Sequence, residues 1–142
     1  MESLTAGDEK NRIYAVTDQI SLTQEDIREV QMAKGAIAAG IELMMEELEI
    51  TYEQVDRVIL CGAFGTYMNA KSAARIGLIP EPLLSKVIAG GNAAGMGCRQ
   101  ITMDQKLFAL TGELVQKIEP LDLASRPQFQ RTFAKQMAFS EV

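Results

Sequence analysis

The chain has 142 residues, 47% of them hydrophobic and 23% charged, with a formal net charge of −5; this length and apolar share allow one core and exclude global disorder. The acidic balance and the lack of any Lys/Arg run exclude a nucleic-acid surface, which needs a basic stripe to displace counterions. No apolar stretch approaches the roughly 20 residues that cross a bilayer, and with no His in the chain histidine catalysis and most zinc sites are excluded.

The acidic, polar opening from Met1 to Asn11 lacks the basic and apolar regions of a secretory signal, which makes the cytoplasm the expected location. Residues 1–11 read as a flexible lead-in and residues 12–142 as a single α/β lobe. Arg12-Ile13-Tyr14-Ala15-Val16 has the β-branched and aromatic content of a strand, and Ile20-Ser21-Leu22 adds a second short extended piece. Thr23 then caps a helix, with acidic Asp26 three positions on, and Ile27, Val30, Ile37, Ile41, Met44 and Leu48 recur at helical spacing over roughly 23–48. Its middle, Ala33 to Gly40, is unusually small-sided. Either a neighbouring helix or strand packs closely there, or a flat ligand lies against the helix backbone.

Thr51-Tyr-Glu-Gln54 is suited to one capped helical turn, after which Val55, Val58, Ile59 and Leu60 drive a buried strand that stops at Gly62. Asn69 caps a helix that ends near Gly77, followed by Pro80 and Pro82. Val87-Ile88-Ala89 is a third strand running into Gly90-Gly91-Asn92 and a helix with Ala93, Ala94, Gly95 and Gly97. The spacing predicts a further amphipathic helix over 103–118, an edge strand at Pro120-Leu121-Asp122-Leu123 and a terminal helix from Pro127 to about Phe139.

Two strands thus enter glycine corners that open into helices, a form that leaves N–H groups free and lets a ligand approach where no Cβ intervenes. If the strands are parallel neighbours, Gly62 and Gly90 lie at the carboxyl edge of the sheet, where α/β ligand sites gather. Turn geometry alone also explains such glycines. Neither corner contains GxGxxG, and no GxxxxGK[ST] loop is present. Cys61, at the mouth of the first corner, reads either as a small residue at a strand end or as a reactive thiol. Glu25 and Asp26 suit a helix start, and Glu46, Glu47 and Glu49 a solvated face.

In order and wording, Leu22-Thr-Gln-Glu-Asp-Ile-Arg-Glu-Val-Gln-Met-Ala-Lys-Gly-Ala-Ile37, Cys61-Gly-Ala-Phe-Gly65, Arg75-Ile-Gly-Leu-Ile-Pro80 and Gly91-Asn-Ala-Ala-Gly95 resemble the C-terminal part of the reductive activators of corrinoid proteins. These are ATP-dependent iron–sulfur proteins of the acetate and sugar kinase, heat-shock chaperone and actin superfamily. The resemblance covers roughly residues 12–140. It implies the C-terminal lobe of a ribonuclease H-like, actin-like ATPase fold, with a short sheet flanked by helices.

By the same resemblance, Gly62, Ala63, Phe64 and Gly65 face the adenosine of ATP or ADP, with Tyr67 nearby and Gln31 and Lys34 reaching across from the long helix. Gly90, Gly91 and Asn92 resemble the last strand–helix junction of the superfamily. Ala63 departs from the superfamily's second glycine. The activators use ATP and a ferredoxin-like cluster to reduce cobalt(II) corrinoid to cobalt(I). Neither the cluster cysteines nor the first phosphate-binding lobe is found in these 142 residues, so the chain alone is expected to hold a partial nucleotide site and to be without turnover.

The expected partners are an adenine nucleotide and a corrinoid protein or corrinoid methyltransferase. An alternative is an interaction module that docks such a partner without nucleotide turnover; a second is a thiol-dependent enzyme built on Cys61. Met32, Met44 and Met45 on the long helix suggest self-association as a homodimer.

Overall fold

The computed structural model describes residues 13–123 and 125–139; the expected lead-in lies outside them. Strand β1 (Ile13–Ala15) pairs antiparallel with β2 (Ser21–Thr23) as a small sheet of its own. Helix α1 (Gln24–Glu47) follows at once. Its start is a full capping box: the Thr23 hydroxyl accepts from the Asp26 N–H at 3.1 Å, and the Asp26 carboxylate accepts from the Thr23 N–H at 2.8 Å. Two of the otherwise orphan donors are thereby satisfied.

Helix α1 ends at Glu47 in a Schellman motif, with Ile50 N–H donating to Met45 C=O and Glu49 N–H to Glu46 C=O. The capped turn expected at 51–54 is a single 3-10 turn, Tyr52–Gln54, whose Thr51 N–H donates to the Gln54 side chain at 2.8 Å. Strand β3 (Val58–Cys61) then runs beside β4 (Val87–Gly91), and the two are parallel.

Between these strands come α2 (Gly62–Tyr67), α3 (Ala70–Arg75) and a 3-10 segment, Glu81–Lys86. Asn69 caps α3 by accepting from the Ser72 N–H at 3.0 Å, and Gly77, at φ 76°, closes α3 with a second Schellman motif. Helices α4 (Ala93–Met103), α5 (Gln105–Val115) and α6 (Pro127–Met137) complete the order.

The core is small. Ala73, Leu78, Ile79 and Leu83 form its centre, and Ile37, Ile41, Val58, Leu60 and Val87 pack on it from α1 and the parallel strands. Helix α6 lies along α1 and resolves the small-residue question there. A Cβ on Gly35 would come within 3.0 Å of the Met137 side chain and 3.3 Å of its backbone, and one on Gly40 would meet Leu123 at 3.3 Å. The close neighbour is a helix.

Three local expectations are corrected. Residues 120–123 form no strand: Pro120 brings no N–H, Asp122 accepts from the Ser125 N–H in a turn, and Leu123 is spent on the α1 face. The helix expected from Met103 begins at Gln105, because Asp104 breaks the pattern and caps α5 by accepting from the Lys106 N–H at 2.8 Å. The first helix after β3 begins at Gly62, ahead of the one expected from the Asn69 cap, as residues 62–67 wind into the short α2.

Candidate functional site

The two glycine corners meet because β3 and β4 are parallel neighbours. Val58 stands beside Val87, Ile59 beside Ile88 and Leu60 beside Ala89; the register then slips, so that Cys61 faces Gly91 and Gly90 is the extra residue of a bulge. Both strands therefore deliver their glycines to one edge, at the carboxyl ends.

The four glycines there do two different jobs. At Gly65 a Cβ would collide with the Leu60 carbonyl, and at Gly90 it would fall 2.7 Å from Cys61 Sγ and 2.8 Å from Ile59 Cγ2. These two let α2 and β4 fold closely onto β3. Gly62 (φ 69°) and Gly91 (φ 56°) are in the left-handed region, and a Cβ on either would meet nothing within 4 Å. Their backbones stand open to an approaching molecule.

Around this opening Phe64 is 53% and Tyr67 86% exposed. Ala63 and Asn92 are exposed as well. The Asn92 side chain has a structural task, accepting from the Gly95 N–H at 2.9 Å to cap α4; a Cβ on Gly95 would displace it. Thus Gly62, Ala63, Phe64, Gly65 and Tyr67 are brought together with Gly90, Gly91 and Asn92 at one edge.

The long-helix residues are placed differently. Lys34 is 2% exposed, its ammonium donates to the Ala138 carbonyl at 2.5 Å, and it sits 5.7 Å from the centre of the Phe139 ring. Burial pulls this ammonium below the ordinary lysine range. Among the described residues no hydrogen bond links it to residues 62–67; it is committed to the end of α6. Gln31, one turn earlier, is half-buried.

The sequence reading passed over two lysines. Lys86 donates to the carbonyls of Tyr52, Glu53 and Val55 at 2.8, 3.0 and 2.6 Å, so one ammonium ties the turn after α1 to the segment before β4. Lys71, with Arg75 four residues on, lines a cleft beside α1. The four-residue spacing of that pair was visible in the sequence; the hollow it faces was not. Cys61 and Cys98 are both free and exposed, and two thiols fall short of the four that hold an iron–sulfur cluster. No helix among the described residues is long and apolar enough to cross a membrane.

Residues 4–142 match the family model described as the C-terminal domain of RACo, the ASKHA domain. The chain belongs to this family. Its ASKHA domain is similar to a corrinoid activation enzyme, RamQ, of Eubacterium limosum, with 30% identity across 86% of this chain and 21% of that protein. It is 26% identical to a [Co(II) methylated amine-specific corrinoid protein] reductase of Methanosarcina barkeri, over 84% of this chain and 22% of the relative. A solved reductive activator for a corrinoid, iron–sulfur protein superposes with a TM-score of 0.77 at 33% identity, over 84% of this chain and 19% of that one. The ASKHA domain here therefore has the actin-like fold expected of it, and it spans about a fifth of the length of these relatives.

Proposed function

We propose that this domain supplies one wall of an adenine-nucleotide site in a protein that uses ATP to reduce cobalt(II) corrinoid proteins to cobalt(I). The observation that carries the reading is the pair Gly62 and Gly91, both with positive φ and open space where a side chain would stand, at the ends of two parallel strands. Phe64 and Tyr67 offer exposed rings to the nucleoside, and stacking on an aromatic face tolerates a flat base without a hydrogen-bond code. In this reading Gln31 and Lys34 join the wall from α1 only if Lys34 leaves the Ala138 carbonyl to which it is committed.

Electron delivery in this reading belongs to an iron–sulfur cluster held elsewhere in the longer protein, because two cysteines cannot hold one. Phosphoryl chemistry needs metal and charge around the γ-phosphate, and the carboxylates of this domain sit on helix caps and faces. The domain alone binds adenine nucleotide weakly and does not turn it over. Its partners are a corrinoid protein or corrinoid methyltransferase, met in the cytoplasm.

Calorimetric titration with ADP tests this. Phe64→Ala and Tyr67→Ala remove exposed rings without touching the core, and each is expected to weaken ADP binding by about tenfold, equivalent to ~1.4 kcal/mol. Binding indifferent to both substitutions would sink the reading.

A second reading has its own support. Helices α4 and α5 have no buried residue, yet Met96, Met103, Phe108, Leu114 and Val115 stand exposed on them. Such a face suits docking to a protein surface without nucleotide. Capture of a corrinoid protein or methyltransferase by the nucleotide-free chain, lost on Phe108→Glu, would favour it.

A further inference from the structure

Beside α1 and along the length of α3 lies a cleft of about 450 Å³, within the range of small-molecule sites. Lys71 and Arg75 line it from α3, four residues apart and so on one helical face. Tyr52, Pro80 and Leu84, all half-buried, add apolar surface, and Glu42 and Glu81 complete the charged lining.

The two cations and two carboxylates of this cleft sum to zero in formal charge, but they are not paired with one another. Glu42 is held from the α6 side: its Oε2 accepts from Gln136 Nε2 at 2.6 Å, and its Oε1 lies 3.6 Å from Lys135 Nζ. Among the described residues, neither Lys71 nor Arg75 makes an ion pair, even with Glu81 lining the same hollow. Arg75 stands in the last turn of α3, where any cation complements the terminal carbonyls. That ordinary role accounts for Arg75; it accounts neither for Lys71 in the first turn nor for the hollow between them and α1.

We propose that this cleft binds a small organic anion, a carboxylate or phosphate ester with an apolar or aromatic body. Lys71 and Arg75 hold the anionic head, since a guanidinium forks onto two oxygens and an ammonium adds a point charge. The Tyr52, Pro80 and Leu84 surface packs on the body. None of the residues lining the cleft belongs to the glycine corners, so the site is separate from the proposed nucleotide wall.

Amide chemical-shift titrations of the full chain with phenyl phosphate, benzoate and neutral benzamide test the proposal. Saturable shifts are expected at Tyr52 and residues 71–79 with at least one of the two anions. Its affinity should exceed that of benzamide by about tenfold and fall by about tenfold in Lys71→Ala/Arg75→Ala. Both side chains are exposed, so the rest of the spectrum should persist in the variant and certify its fold. Equal affinity for benzamide, unsaturable shifts with both anions, or indifference to the double substitution would each overturn the proposal. An ADP titration keeps it distinct from the nucleotide reading. ADP shifts at residues 62–67 that survive the double substitution support two sites, whereas ADP competing phenyl phosphate out of the cleft overturns a separate one.

Discussion

Glu49 occupies a backbone position that the chain elsewhere gives to glycine. The two Schellman motifs close α1 and α3 with the same pair of hydrogen bonds, but the left-handed residue is Gly77 in one and Glu49, at φ 51°, in the other. A side chain in that region costs roughly 1–2 kcal/mol, partly offset by the greater freedom glycine has when unfolded. Glu49→Gly is therefore expected to raise stability by about 0.5–1 kcal/mol in urea denaturation; a loss would show that Glu49 makes a contact worth more than its strain. Lys34 gives a second residue-scale test. Burial lowers its pKa in the fold, so the folded state releases its proton first, and stability rises as pH climbs from the folded value towards the unfolded 10.5. Lys34→Met should remove this alkaline rise and raise stability at neutral pH by about 1 kcal/mol, because a buried charge is replaced by a side chain of similar length.

At the scale of elements, α1 was the most legible part of the sequence. Thr23 and Asp26 announced its start, and the hydrogen-bonded box holds the Asp26 carboxyl below its usual range. That contribution is present above the unfolded value of 3.8 and disappears as pH falls through the lower folded value; Asp26→Asn should flatten this acid limb in a pH series of thermal melts. The small residues of α1 signalled a close neighbour, but periodicity cannot say which element comes from a hundred residues away, and α6 fills that place. Gly35→Leu should cost about 1–3 kcal/mol by forcing Met137 and its backbone outward. The breaks at Asp104 and Asp122 were harder to see, because one aspartate inside an apolar pattern looks like an exposed helix position until its carboxylate is found bonded to a nearby N–H. Parallel pairing of β3 and β4 was readable as a condition, and its register, including the bulge at Gly90, was not, since no turn joins the two strands.

Among the described residues two apolar surfaces face outward: the α4–α5 face, with Met103, Phe108 and Val115, and the outer side of the parallel strands, where Ile59 and Ile88 are register partners and both exposed. Surfaces of this kind suit contact with further protein. In isolation the domain is expected to self-associate; a monomeric mass in light scattering at tens of micromolar would count against that. Lys86 ties the interior together through three carbonyls, and Lys86→Met should cost about 1.5–3 kcal/mol in the same denaturation assay. The nucleotide wall itself is decided most directly by mapping ADP onto the chain through amide chemical shifts. The account predicts saturable movement of the Gly62 and Gly91 amides with those of residues 63–67, lost in Phe64→Ala. Movement confined to other parts of the chain, or none at saturating ADP, would contradict it.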